Sequence, residues 1–179
     1  MGQERPQWRL HLLVGALEVH EFVNADIIAR GLSAFRPEEV AITAGRVTLA
    51  RLRQLTDQRA DVAFETTLAS RSLAPWIQKL IGSGYEFRLF FLWLPSAEMA
   101  VNRVRDRILK GGHSVPEEVI RRRYEAGLKN FFELYRGMAV SWQFLDNSVR
   151  GKTRLIAAGT FQQTTDVLDR ELWHNVNRS

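Results

Sequence analysis

Short apolar runs alternate along the chain with longer stretches of helical periodicity. Arg9–Val14 (RLHLLV), Glu21–Asn24 (EFVN), Asp61–Thr66 (DVAFET), Phe87–Leu94 (FRLFFLWL) and Ser141–Leu145 (SWQFL) read as strands. Phe87–Leu94 is apolar nearly throughout, as a strand covered on both faces must be. Between these runs, Arg36–Leu55 keeps a helical period through Val40, Ala44, Val47, Leu52 and Leu55. Pro37 in its first turn and Glu38-Glu39 near its positive end agree with a helix start there. Ser72–Ile81 reads as another helix, stopped by Gly82-Ser83-Gly84, and Ser96 as the cap of the next. Arg154–Ala157 is read as an edge strand and Asp166–Val176 as a final helix. This alternation predicts an α/β fold, three-layer, with a mostly parallel sheet. No repeat or linker divides residues 1–179, which are read as a single domain.

The stretch Val101–Tyr135 reads as helix, tight loop, helix, and concentrates positive charge. Val101, Val104 and Ile108 form one face of its first helix; Arg103, Arg107 and Lys110 line another. Gly111-Gly112 ends that helix, since glycine accepts the left-handed conformation of a C-terminal cap. Ser114-Val115-Pro116-Glu117 fits a capping box with proline in the first turn of the next. Ile120, Tyr124, Gly127/Leu128, Phe131 and Tyr135 supply its apolar face. Arg121, Arg122 and Arg123 stand together where like charges repel and oppose the helix dipole. Two readings are open: a salt-bridged helix pair using Glu117, Glu118 and Glu125, or an arginine lid closing over phosphate on a glycine hinge.

Bulk properties narrow the partners. The 179 residues are 45% hydrophobic, enough for a sizeable core, and contain no cysteine, so disulfides and thiolate metal sites are excluded. No apolar run is long enough to span a bilayer, and the N-terminal residues lack a secretion signal, so a cytoplasmic location is expected. The net charge of +5 and isoelectric point of about 10.1 point to an anionic partner. Nucleic acid is disfavoured, because no aromatic residues interleave with the arginines as stacking platforms would.

In such sheets ligands gather outside the carboxyl ends of the strands. Three polar groups follow apolar runs directly: Asn24-x-Asp26, Glu65-Thr66-Thr67 and Asp146-Asn147-Ser148. A carboxylate there can take a proton from a hydroxyl or hold magnesium, or it can cap the helix that follows. His113 in the lid loop could contact phosphate; His11, His20 and His174 lack metal-ligand spacing.

The segments FVNADIIARGLSAFRPE, FETTLASRS, FRLFFLWLPSAEMAVNRVRDRILKGGHSVPEEVIRRRYEAGLKNF and LDNS together resemble the zeta-toxin-like family of P-loop kinases over about Phe22–Ser148. The resemblance implies an ATP- and Mg2+-dependent phosphotransferase whose toxin members act on sugar-nucleotides, with an antitoxin-like protein as a possible partner. It gives Asp26 the role of base toward the acceptor hydroxyl and Glu65 that of a carboxylate near the acceptor. Arg107 and Arg123 resemble lid arginines neutralising the transferred phosphoryl group. Asn24, Thr66, Thr67, Arg103, Arg122 and His113 fall on the substrate side, and Gly15, Asp146 and Asn147 on the nucleotide side. No metal site beyond the ATP-bound ion is implied.

The chain departs from this pattern at its phosphate loop. Gly15-Ala16-Leu17-Glu18-Val19-His20 leads straight to EFVNAD, and no G-x-x-x-x-G-K-[ST] occurs in the 179 residues. A parallel crossover needs about a dozen residues, whereas six reach roughly 20 Å when fully extended. Arg9–Val14 is therefore expected to be antiparallel, displaced or loosely held, and ATP binding impaired. A kinase, a non-catalytic nucleotide- or protein-binding module, and a basic nucleic-acid binder remain the readings to separate.

Overall fold

The computed structural model describes residues 19–34, 36, 39–109 and 114–178. The expected strand Arg9–Val14, Gly15 and the glycine hinge with His113 lie outside the described residues. The chain forms two compact units, one of the described residues up to Thr66 and one of Thr67–Leu109 with Val115 onward.

In the first unit, β1 (Glu21–Val23) pairs in parallel with β2 (Val62–Phe64), in the register Glu21↔Val62, Phe22↔Ala63, Val23↔Phe64. Their connection carries α1 (Ala25–Leu32) and α2 (Ala41–Asp57), the helical crossover that parallel pairing requires. Helix α1 starts where the Asn24 side chain accepts the Ile27 N–H at 3.1 Å. Ala44, Leu52, Leu55 and Thr56 form the buried stripe of α2. Thr48 and Thr56 satisfy their hydroxyls on the carbonyls of Ala44 and Leu52, at 2.8 and 3.0 Å. Val47, expected on the buried face, is 40% exposed. The helix begins at Ala41, five residues after the expected start at Arg36, with no side-chain cap at Val40.

The second unit is a four-stranded sheet in the order β3 (Arg88–Trp93), β4 (Ser141–Asp146), β5 (Arg154–Thr160), β6 (Gln163–Val167). Helices α3 (Ala74–Gly82), α4 (Ala97–Leu109), α5 (Glu117–Asn130) and α6 (Arg170–Asn177) complete it. β3 and β4 are parallel, but β4–β5 and β5–β6 are antiparallel. The α/β expectation holds, and the mostly parallel sheet holds in part: among the described residues there are two sheets, parallel at β1–β2 and β3–β4 and antiparallel at β4–β5 and β5–β6. The cause is connection length. Only two residues, Phe161 and Gln162, separate β5 from β6, and a turn that short joins antiparallel neighbours alone. Two assignments shift with it. Arg154–Ala157 belongs to an interior strand, and Gln163–Val167, whose last two residues were expected to begin the final helix, is the edge strand. The helix starts only at Arg170, where Asp169 accepts the Leu172 N–H at 3.0 Å.

The caps of α4 and α5 divide in the same way. Ser96 caps α4 as expected, accepting the Met99 N–H at 3.2 Å. The capping box expected at Ser114 does not form: Pro116 is the cap residue of α5, with no side-chain bond. The Pro116 carbonyl instead takes the N–H groups of Val119 and Ile120 at 3.0 and 3.2 Å.

Rings fill the core of this unit. Helix α5 runs into a π-helical turn, Phe131–Tyr135, closed by the Arg136 N–H on the Phe131 carbonyl, and then into a 3-10 turn, Arg136–Met138. The widened turn brings two adjacent rings to the sheet, Phe131 against Phe91 with centroids 4.8 Å apart and Phe132 against Trp173 at 5.6 Å. Phe144 stacks on Phe91 at 5.2 Å, and Trp142 on Trp173 at 5.6 Å. Phe131 and Phe144 are fully buried. Gly159 on β5 makes room for this cluster, since a Cβ there would overlap both the Gln163 carbonyl oxygen and the Trp142 ring.

One ion network ties three elements. Arg154 at the start of β5 reaches Asp169 at 2.8 Å and Asp146 at 3.3 Å. Burial pushes the Asp146 carboxyl up, but bonds from Ser148 and Arg154 outweigh it and leave it below its ordinary value. The Leu172 N–H and Arg154 hold Asp169 low as well.

Two outcomes follow from this packing. Gly159→Ala overpacks the core and is expected to cost about 2–4 kcal/mol, lowering the thermal midpoint by roughly 5–15 °C; circular-dichroism melting measures it. Because Asp146 and Asp169 bind protons more weakly folded than unfolded, their contribution is complete above about pH 4 and disappears as pH falls through the folded values. Melting from pH 6 to 2.5 should show a decline beginning near pH 4, and Arg154→Gln should make it shallower.

Candidate functional site

In the first unit the parallel pairing of β1 and β2 puts their carboxyl ends on one rim. Asn24 and Glu65 follow those two ends, and the structure brings them together. The Asn24 Nδ2 donates to Glu65 Oε2 at 2.8 Å while its Oδ1 caps α1. One amide therefore orients a carboxylate and starts a helix at once, using both ends of its dipole. Asp26 lies two residues on, in the first turn of α1, and is partly exposed. Glu65 and Thr66, just after β2, are exposed. The rim thus carries two carboxylates, one held by an amide and one in the first turn of a helix.

In the second unit the arginines divide into two groups. Arg103 donates to the carbonyl oxygens of Asn147 and, at 3.1 Å, of Ser148. Arg105 pairs with Glu117 at 2.8 Å, joining α4 to α5. Arg121 pairs with Glu98 and, at 2.6 Å, with Glu117, which raises the Arg121 guanidinium and lowers the Glu117 carboxyl. Arg105 and Arg121 hold the helix pair together, and Arg103 ties α4 to the turn after β4. Arg107 is partly buried on α4. Arg122 and Arg123 are exposed on α5, and among the described residues neither makes an ion pair or side-chain hydrogen bond. Two of the three consecutive arginines therefore remain available to an anion.

Asp146 and Asn147 follow β4. The Asp146 carboxylate accepts the Ser148 N–H at 2.8 Å and pairs with Arg154. Asn147 is 8% exposed, and its N–H donates to the Trp93 carbonyl at 2.9 Å. Both residues thus shape the turn at the end of the β3–β4 pair.

Thr67 opens a loop whose form is dictated by α5. Gly127 lets that helix come so close that any Cβ would overlap the Thr67 carbonyl oxygen. Asn130 donates to the Leu68 carbonyl at 2.8 Å, and the Tyr135 hydroxyl to that of Ser70. Leu68, only 4% exposed, is held at φ 56, a left-handed conformation that leucine adopts only when its surroundings insist. Gly127 and Tyr135 belong to the apolar face expected for this helix, and Asn130, outside that expectation, stands next to it in sequence. Asn130 was the available signal, since an amide beside such a face must find a partner once buried.

Among the described residues no group of three or more histidines, aspartates or glutamates could hold a metal, and no helix is long and apolar enough to cross a membrane. Gly15 and His113 lie outside the described residues.

Comparison with known proteins supplies the family. The Zeta toxin family matches residues 36–168. A protein of Haemophilus influenzae, described only as uncharacterized, is 24% identical over 102 residues, covering 57% of this chain and 73% of its own. No solved structure matches. The family's fold is P-loop-like, and its members are ATP-using proteins, which implies a nucleotide and Mg2+. The match begins after α1 and runs through β6, well over half of the chain, and the chain belongs to the Zeta toxin family.

Proposed function

We propose that this chain carries the acceptor half of a kinase-type phosphotransferase acting on a hydroxyl of a small molecule such as a sugar-nucleotide, with ATP binding impaired. The observation that carries the reading is the Asn24–Glu65 hydrogen bond of 2.8 Å at the common end of two parallel strands, with Asp26 two residues after Asn24 in the first turn of α1. In this role Asp26 accepts the proton of the acceptor hydroxyl. Glu65, held by Asn24, orients that hydroxyl, with Thr66 as a further polar contact. In the second unit, taken by itself, the exposed Arg122 and Arg123 are suited to bind phosphate oxygens with charge-assisted hydrogen bonds.

ATP itself fits this chain poorly. Its triphosphate needs a glycine-rich backbone nest, a lysine and a magnesium-binding hydroxyl, and no G-x-x-x-x-G-K-[ST] occurs in the 179 residues. Asp146 and Asn147, which shape the turn after β4, do not replace these groups. Mg2+ needs only one or two carboxylates beside phosphate and water, so the rim carboxylates suit it better than they suit the nucleotide.

The same absence favours a second reading, a non-catalytic module that binds a nucleotide, a sugar-nucleotide or an antitoxin-like protein through this fold.

Radiolabelled ATP with Mg2+ and a panel of sugar-nucleotides separates the two. Phosphotransfer that falls at least about 100-fold in Asp26→Asn supports the kinase, since a general base contributes roughly that much or more. Saturable sugar-nucleotide binding without turnover supports the module, and neither turnover nor binding overturns both. Replacing Arg122 and Arg123 with glutamine is expected to weaken that binding by about 10- to 100-fold while leaving the thermal midpoint unchanged, as titration calorimetry and melting would show.

A further inference from the structure

A second surface lies within the second unit, where the 3-10 turn after α5 meets the β5–β6 hairpin. The Phe161 N–H donates to the Ala139 carbonyl at 2.8 Å, and the Phe161 carbonyl accepts the Trp142 indole N–H at 2.9 Å. The Gln162 side chain packs directly on Gly137, where a Cβ would overlap its amide nitrogen. Arg136 sits on this junction with its guanidinium 5.0 Å from the Phe132 ring centroid and 6.0 Å from that of Trp142.

Two features here are costly for folding alone. Arg136 is partly buried, its Nε is fully buried without a hydrogen-bond partner, and among the described residues no carboxylate pairs with it. Burial alone depresses its guanidinium, with no neighbouring anion to raise it. Two aromatic faces stabilise the cation but cannot neutralise it. The other costly feature is Phe161, a bulky aromatic residue held at φ 50 and 50% exposed at the hairpin tip. Glycine or asparagine would occupy that conformation with less strain. A strained, exposed ring beside an uncompensated cation is the pattern of a prepared contact surface.

We propose that Arg136 and Phe161 form a docking surface for an acidic-hydrophobic segment of a partner protein, which sets a carboxylate on Arg136 and an apolar side chain on Phe161. Charge complementarity favours this occupant. The carboxylate replaces water around a cation already partly desolvated, so less desolvation remains to oppose the pair. The fixed backbone of the tip means that little ordering opposes binding. The surface involves none of the residues assigned to phosphoryl transfer, so the proposal stands or falls apart from that reading.

The test follows the Trp142 indole proton by NMR, since that group lies under Arg136 and bonds the tip. A short capped peptide of alternating glutamate and leucine, added at millimolar concentration, is expected to shift this resonance saturably. Arg136→Gln should weaken the effect by about tenfold or more, the loss expected for one charge-assisted hydrogen bond. Phe161→Asn should weaken it while leaving the thermal midpoint equal or higher. No shift overturns the proposal, as does an equal shift from the glutamine–leucine peptide or from inorganic phosphate, which would mark a simple anion site. Arg136→Met separates docking from structure: an unchanged or raised midpoint supports the surface, and a lowered one assigns Arg136 to the fold.

Discussion

The burial of rings between the β3–β4 pair and the turn that ends α5 is the interaction on which the larger unit depends. Phe131 and Phe144 are both fully buried, and each such ring contributes about 1.5–3 kcal/mol from burial. Phe91, Trp142 and Trp173 close around them. To bring both Phe131 and Phe132 into the cluster, the chain widens from α- to π-helical hydrogen bonding. That turn anchors α5 at its C-terminal end. The arginines near the helix start inherit their positions from rings several turns away.

The positive charge on the helix pair divides according to geometry. Adjacent helical residues point about 100° apart, so Arg121, Arg122 and Arg123 cannot share a role. Arg121 faces Glu98 and Glu117 and Arg105 faces Glu117, which makes Glu117 the hinge of a small network between α4 and α5. Exposed pairs of this kind stabilise little; they set the angle at which the next two arginines are presented. Of the two alternatives the sequence left, the salt-bridged pair is present through Arg121 and Arg105, while Arg122 and Arg123 stay exposed on other faces of α5.

Backbone constraints do comparable work around the polar groups. Asn24 serves β1, α1 and Glu65 together, because an amide is donor and acceptor at once. Gly127 and Asn130 hold the loop after Thr67, with Leu68 in a conformation leucine seldom takes. Such a loop starts from its final shape and needs little reorganisation when a ligand arrives.

Where the chain's own pattern was strong, it determined the element. The apolar run at Arg88–Trp93, the helical period of α2 and the serine before α4 are local signals, decided by side-chain spacing and one hydrogen bond. The polar residues at the strand ends and the family resemblance were legible for the same reason. Tertiary structure decided what depends on neighbours distant in sequence. It made β5 an interior strand and Gln163–Val167 the edge, because a two-residue turn folds that segment back on its neighbour. It also decided which arginines are bound by carboxylates and which are left exposed, since each carboxylate reaches its arginine only after α4 and α5 have packed.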